Sequence, residues 1–306
     1  MPVNDLGPRS RHIYDALRAG IVRGDLAPGS QLPPHLRLAA DFGVAPMTVR
    51  QVLARLEAEG LVSRQLGRGT FVRQHARALL APADAPRPTL DDLRASYAAG
   101  LEAGEGERAV GLLLGAAAVG VPVPDLCVEV IQPAQYAIGE LWQTNRVSVA
   151  GEHLATAISE SAVAHLVARA PRAPRNGRRV LVACVEDELH DLGARMVADL
   201  LDLDGFEVRF LGANVPTDAL AAMLRNVATD LLVLSATLSQ HADPLRQALP
   251  RLRAAAAPGP LVIAVGGQAF AWTPTLAEDI GADICTADAR AAVAAARRAL
   301  GLHTAP

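Results

Sequence analysis

The chain has 306 residues and a mass of 32.0 kDa, more than one hydrophobic core usually organises, so we expect two or three domains. Hydrophobic residues make up 51% and aromatic residues 3%, which favours helices and parallel strands over an aromatic-rich all-β fold. Three widely spaced cysteines without CxxC spacing argue against a disulfide framework or a zinc site. The longest apolar run, residues 109–124, is too short for a membrane span, and a signal peptide is not recognised, so we expect a cytoplasmic protein.

Charge divides unevenly along the chain. Every basic residue is Arg, and residues 1–77 hold 11 Arg against 6 acidic residues, whereas the remainder holds 18 Arg against 26. A basic segment joined to an acidic body is typical of a nucleic-acid-binding domain carried by a regulatory one.

Hydrophobic periodicity and proline-rich breaks predict five consecutive segments. They are a DNA-binding domain at 1–77, a linker at 78–88, a helical bundle at 89–170, a linker at 171–178 and an α/β domain at 179–306. The first segment has predicted helices at 9–23, 34–42 and 46–59 and a two-stranded wing around 67–69. This pattern predicts a winged helix-turn-helix.

The two later domains differ in periodicity. Four helices at 89–101, 105–118, 124–144 and 148–168 predict a four-helix bundle. After it, strands at 180–185, 207–211, 231–235 and 261–265 alternate with helices at 193–204, 216–227, 243–256, 274–280 and 287–300. Alternation of this kind predicts a doubly wound parallel sheet of the flavodoxin-like type, so the fold class is multidomain α and α/β.

The third predicted helix has the polar face of a DNA reader. Thr48, Arg50 and Gln51 lie on its first turns, opposite an apolar face. The stretches GDLAPGSQLP, FGVAPMTVRQVLARLEAEGLV and GRGTFV resemble GntR-family regulators in order and spacing, which implies that this helix enters a major groove of double-stranded DNA. Arg50 and Gln51 are then candidate base readers. The alternative is that these residues belong to a solvated basic surface with no role in DNA binding, and this alternative is strongest for Gln51.

The wing supplies candidate phosphate contacts. These are Arg64, Arg68 and Arg73, while Gly67 and Gly69 permit a tight approach to the backbone of DNA. The GntR family usually has an Arg where this chain has Leu36, and Arg37 follows one place later. We keep Arg37 as a candidate DNA contact.

The segment EDELHDLG, residues 186–193, follows the first strand of the predicted sheet. It places Glu188 and His190 in a loop and Gly193 at the start of a helix, where doubly wound sheets bind ligands. A neutral imidazole is a good cobalt ligand, and a carboxylate on its other nitrogen fixes its orientation. After 41 further residues come Ser235 and Thr237, and after another 28 come Gly266 and Gly267.

These motifs and spacings resemble base-off, His-on cobalamin-binding domains. The resemblance implies that His190 is the lower axial cobalt ligand, that Glu188 is its partner, and that Ser235 and Thr237 line the slot for the nucleotide tail. Gly266 and Gly267 would let that tail pass close to the backbone. The alternative is a flavodoxin-like domain that binds no corrinoid.

The bundle carries a second resemblance. Trp142 is followed after nine residues by Glu152 and His153, a pattern similar to the cap of CarH-type adenosylcobalamin photoreceptors. It implies that Trp142 covers the adenosyl group, that Glu152 accepts hydrogen bonds from ribose hydroxyls, and that visible light breaks the cobalt–carbon bond. Packing within the bundle is the alternative role for Trp142.

Two departures from the CarH type stand out. In that type the residue directly after this Trp is a His, and the His takes the upper cobalt position after photolysis. This chain has Gln143 there, so His153 or water is left for that position. The CarH type also joins its sensor to a MerR-like DNA reader.

The sequence therefore leads to one main hypothesis and two alternatives. The main hypothesis is a non-enzymatic, light-responsive regulator, more in keeping with a repressor than an activator, that uses adenosylcobalamin and forms a dimer or tetramer on palindromic operator DNA. The alternatives are a light-independent sensor of cobalamin level and a corrinoid carrier subunit of an enzyme.

Overall fold

The computed structural model describes residues 6–73, 76–80, 88–256, 259–272 and 276–302. The chain divides into two compact units. The first comprises Met1–Pro122 and Ala134–Ala162, and the second comprises Val123–Pro133 and Val163–Pro306. No helix among the described residues is both long and apolar enough to cross a membrane.

The first unit begins with the predicted winged helix. Its elements are α1 (Pro8–Arg23), α2 (His35–Asp41), α3 (Pro46–Ala58), β1 (Val62–Gln65) and β2 (Gly69–Val72). Proline in the first turn of α1 and of α3 starts both helices, because its fixed φ suits that turn and its missing N–H has no partner there. The two strands pair antiparallel, with Val62 opposite Val72, and close a core built around Ile13, Val49, Val52 and Leu56.

A short helix, α4 (Ala76–Leu79), follows the wing and was not expected from the sequence. Its first residue, Ala76, is fully buried in the winged-helix core. The helix packs against both α1 and the bundle helix α6 (Gly106–Ala118). The predicted linker 78–88 begins inside α4, and its residues 81–87 lie outside the described part of the chain. The boundaries between the five predicted segments thus stay predictions.

The helical cap follows the predicted order. Its elements are α5 (Leu90–Glu102), α6, α7 (Val123–Asp125), a π-helical turn (Leu126–Ile131), α8 (Gln132–Gln143) and α9 (Val149–Arg169). The side chain of Thr89 accepts the N–H of Asp92 and so caps α5. The third predicted helix is therefore interrupted by a π turn that its apolar periodicity does not reveal.

The second unit contains a parallel five-stranded sheet in the order β4-β3-β5-β6-β7, so the predicted doubly wound fold is confirmed. The strands are β3 (Arg179–Cys184), β4 (Glu207–Phe210), β5 (Leu231–Ser235), β6 (Val262–Gly266) and β7 (Ile284–Thr286). Side chains of β3 alternate between two apolar layers, because Val180 and Val182 face one side and Leu181 and Ala183 the other. The strand order reverses direction at β3, which makes its carboxyl end the topological switch point.

Helices cover both faces of this sheet. They are α10 (Leu192–Leu203), α11 (Thr217–Asn226), a 3₁₀ turn (Ser239–His241), α12 (Ala242–Ala255), α13 (Gln268–Trp272), α14 (Leu276–Asp279) and α15 (Ala289–Ala299). The sequence did not predict α13 or β7, since five and three residues are too short to show periodicity. Pro274, in the predicted helix 274–280, lies outside the described residues.

The predicted break at 171–178 is irregular but fixed in place. The N–H of Ala173 donates to the carbonyl of Leu203, and the N–H of Asn176 donates to that of Gly205. Gly205 has φ +93°, and a Cβ there would lie 2.2 Å from the carbonyl oxygen of Pro174. This segment therefore packs on the end of α10.

We expect Gly205→Ala to lower the free energy of unfolding by more than Gly177→Ala does. Both positions have positive φ, where an L side chain costs about 1–2 kcal/mol, but a Cβ at Gly177 meets nothing within 4 Å. Urea unfolding of both variants measures the difference. Equal losses would show that the contact with Pro174 is unimportant.

Candidate cofactor and DNA sites

The loop between β3 and α10 holds a carboxylate–imidazole pair. Glu188 is 1% exposed, and its Oε1 accepts the backbone N–H of His190 at 2.8 Å and lies 2.6 Å from His190 Nδ1. The backbone N–H of Thr237, which follows β5, donates to Glu188 Oε2. The carboxylate thus connects the loops after two neighbouring strands.

Hydrogen bonding keeps this buried carboxylate ionised. Burial alone raises the pKa of Glu188, but the hydrogen bonds from His190 and from the Thr237 backbone outweigh it and lower the pKa to about 2. An ionised carboxylate only accepts hydrogen bonds, so we assign the hydrogen of the His190 ring to Nδ1. In the neutral imidazole, Nε2 then carries the lone pair that a metal can take. The His190 side chain is 63% exposed.

Strand register explains why the three distant motifs meet. Cys184 lies opposite Ser235, and Ser235 lies opposite Gly266, so the segments that follow these residues leave the sheet at the same edge. Gly267 has φ +108°, and a Cβ there would lie 2.3 Å from the carbonyl oxygen of Ala236. The backbone of Ala236 therefore leaves no room for a side chain at Gly267.

Two further residues of this site were missed by the sequence analysis. Asn214 accepts the N–H of Asp187 and donates its own N–H to the carbonyl of Glu188, which braces the loop. His241 is 4% exposed, and within the described residues neither of its ring nitrogens has a hydrogen-bond partner, although Nδ1 lies 3.4 Å from Glu188 Oε2. Asn214 lies more than 20 residues after the EDELHDLG motif and His241 four residues after Thr237, and no spacing rule indicates either of them.

The first unit presents the predicted cap residues. Trp142 is 45% exposed near the end of α8, next to the exposed Gln143. Glu152, in the first turn of α9, accepts the hydroxyl of Thr156 at 3.0 Å and lies 2.7 Å from the Nδ1 of its neighbour His153. The side chain of Glu152 is 24% exposed and that of His153 is 75% exposed.

The helix predicted to read DNA, α3, has an exposed polar face that includes two of its three candidate residues. On α3, Arg50 and Gln51 are exposed, whereas Thr48 is half-buried. The guanidinium of Arg50 lies 3.2 Å from Nε2 of His35, at the start of α2. Arg37 is exposed on α2, 4.0 Å from Asp41, and Leu36 is 62% exposed.

The wing is held against the rest of the domain. Gln31 donates to the carbonyl of Arg68 at 2.7 Å, and Glu57 accepts the backbone N–H of Arg64 at 2.9 Å. The side chains of Arg64 and Arg68 stay exposed, while Arg73 is half-buried and donates to the carbonyl of Val62. A groove between α3 and the wing is lined by residues that include His35, Arg50, Arg64, Leu66 and Gly69.

Comparison with known proteins agrees with this arrangement. Residues 9–72 match the gntR family of bacterial regulatory proteins, and residues 93–167 and 178–297 each match a B12 binding domain. These matches define a regulatory protein that joins a gntR-type DNA-binding domain to a B12-binding cap and α/β domain.

Individual relatives narrow the assignment. The chain is 31% identical, over 77% of its length and 73% of the relative, to the HTH-type transcriptional repressor CarH of Myxococcus xanthus. It therefore belongs to the family of this CarH repressor.

Corrinoid proteins are also similar. Dimethylamine corrinoid protein 2 of Methanosarcina acetivorans is 31% identical over 38% of this chain and 53% of its own. The structure of the monomethylamine corrinoid protein of Methanosarcina barkeri has a TM-score of 0.59 at 18% identity, covering 69% of this chain and all of that one, which shows a shared fold.

We expect Glu188→Gln to lower the free energy of unfolding at pH 7 by about 1–3 kcal/mol, because an amide nitrogen replaces one acceptor that faces N–H donors. The pKa of Glu188 is lowered to about 2, so its contribution is present above the ordinary pKa of 4.5 and is lost as the pH falls toward 2. The difference from the wild type should shrink over that range in urea unfolding. Glu186→Gln, which removes the same charge from an exposed position of the loop, is the control, and an equal loss there would contradict the prediction.

Proposed function

We propose that this protein is a light-responsive transcriptional repressor that carries adenosylcobalamin. The observation that carries the proposal is the buried, ionised Glu188 that holds His190 at the switch point of the sheet, in a chain that begins with a gntR-type winged helix. Bound adenosylcobalamin would supply a cobalt–carbon bond that visible light breaks.

The α/β domain fits a corrinoid with its nucleotide tail displaced. His190 Nε2 is the proposed lower cobalt ligand, and Glu188 fixes the ring and raises its basicity. A Cβ at Gly193 would meet nothing within 4 Å, so this first turn of α10 has open space beside the motif. We assign Ser235, Thr237, Gly266 and Gly267 to the slot for the tail.

The cap supplies the proposed adenosyl contacts. Trp142 offers an apolar ring that is nearly half exposed, and Glu152 offers carboxylate oxygens for the ribose hydroxyls. Gln143 has no imidazole, so we assign the upper position after photolysis to His153, whose side chain is largely exposed.

Two winged helices of a dimer or tetramer would read a palindromic operator. Arg50 and Gln51 would contact bases and Arg37, Thr48, Arg64, Arg68 and Gly69 the backbone of DNA. A change of oligomeric state after photolysis would change the spacing between the two winged helices.

A light-independent sensor of cobalamin level is the second candidate. Gln143 favours this candidate. In the CarH type the residue directly after the Trp is a His that takes the upper cobalt position after photolysis, and this chain has Gln143 there. A corrinoid carrier subunit is the third, and the winged helix at residues 9–72 argues against it.

The proposed function is tested with full-length protein reconstituted with adenosylcobalamin in darkness. Green light should change the absorption spectrum, the elution volume in size exclusion and the affinity for a DNA duplex selected from a random library. His190→Ala is the control for correct cobalamin binding. A spectral change without any change in elution or DNA affinity would favour the cobalamin-level sensor, and absence of cobalamin binding would exclude both.

For the DNA end, we expect Arg50→Ala to weaken binding to the selected duplex by about 1–3 kcal/mol, the usual value of one bidentate base contact. Binding to an unrelated duplex should change much less. Arg23→Ala removes another exposed arginine, which pairs with Asp25 at the end of α1, and it serves as the matched control. Fluorescence anisotropy that shows no loss for Arg50→Ala would remove Arg50 from the base readers.

A further inference from the structure

A chain of polar side chains runs through the first unit and ends at Glu152. At its buried end, the hydroxyls of Tyr97 and Ser159 lie 2.8 Å apart, and both residues are fully buried. Gln135 then joins α8 to α9, since its Nε2 donates to the hydroxyl of Ser159 and, at 3.0 Å, to the carbonyl of Ala155. Buried polar groups of this kind are kept only when they are satisfied, so the orientation of each is determined by its neighbours.

Gln135 is fixed in one orientation. An amide nitrogen has two hydrogens, and both are used, one by Ser159 and one by Ala155. Its Oε1 therefore faces Thr156, whose hydroxyl lies 3.4 Å away. The amide cannot flip without losing both donated hydrogen bonds.

Thr156 is the last member before Glu152. Its hydroxyl lies 3.0 Å from Glu152 Oε1, closer than it lies to Gln135. A hydroxyl has a single hydrogen, and both neighbouring oxygens only accept, so the shorter distance assigns the hydrogen to Glu152. Gln135 and Thr156 are then neighbours without a hydrogen bond between them. We call Tyr97, Ser159, Gln135, Thr156 and Glu152 together the Tyr97–Glu152 relay.

We infer that Thr156 is a positioning residue that holds the Glu152 carboxylate for the ribose hydroxyls of an adenosyl corrinoid, and so makes the protein select adenosyl over methyl corrinoids. The inference rests on the proposed function, which assigns those hydroxyls to Glu152. A glutamate side chain that is already held in place loses less conformational freedom when a ligand binds. A methyl group has no hydroxyls, so its binding gains nothing from an ordered Glu152.

The test compares dissociation constants of full-length variants for adenosylcobalamin and methylcobalamin, both measured in darkness. We expect Thr156→Val to weaken adenosylcobalamin binding about tenfold, the factor expected for one hydrogen bond to a charged group, and to leave methylcobalamin binding unchanged. Thr156→Ser, which keeps the hydroxyl, should restore the ratio.

Thr144→Val is the matched control. Within the described residues the Thr144 hydroxyl donates only to backbone carbonyls at the end of α8, so its loss should not change the ratio of the two dissociation constants. Thermal unfolding of the cofactor-free protein reports whether each variant folds, and Thr156→Ala gives a second test if Thr156→Val folds poorly.

Two outcomes would overturn the inference. If the wild type prefers adenosylcobalamin and Thr156→Val and Thr156→Ala keep that preference, or lose both affinities equally, Thr156 does not position Glu152 and the proposed function stands. If the wild type itself does not distinguish the two corrinoids, the adenosyl assignment in the proposed function fails, and the inference fails with it.

Discussion

The α/β domain depends on keeping one carboxylate ionised out of water. Glu188 is almost fully buried, and two backbone N–H groups and one imidazole compensate the loss of solvent. Those donors come from loops after β3 and β5, so the pair forms only when these strands are neighbours in a parallel sheet. The hydrogen bond from the His190 ring to Glu188 Oε1 both stabilises the buried carboxylate and orients the imidazole. The burial of Glu188 thereby links the fold of the sheet to the orientation of His190.

Much of this site was predictable from spacing. In a parallel sheet, neighbouring strands end at one edge, so the motif residues 188–193, 235–237 and 266–267 had to meet once β3, β5 and β6 were recognised as neighbours. His241 and Asn214 were not predictable, since each reaches Glu188 or its loop through a turn whose path depends on tertiary packing. The short β7 and α13 carry too few residues to show a period.

The same limit applies in the first unit. Helix positions followed from amphipathic patterns, but the Tyr97–Glu152 relay joins side chains up to 62 residues apart on three helices, and no local pattern encodes it. The helix α4 was not recognised for another reason, because a four-residue helix with two alanines next to a proline-rich stretch resembles a linker in sequence. Its packing against α1 and α6 gives the winged helix and the cap a shared element.

If His190 binds the cobalt of a corrinoid, the electron paramagnetic resonance spectrum of the cob(II)alamin-loaded protein carries the signature of its imidazole nitrogen. A nitrogen ligand on the axial position splits the cobalt lines, and the pattern depends on the nuclear spin of that nitrogen. In protein labelled with ¹⁵N only at histidine, we expect each three-line splitting to become a two-line splitting, and His190→Ala to remove this change. An unchanged three-line pattern in the labelled protein would show that the nitrogen belongs to the cofactor's own base and that His190 is not the cobalt ligand.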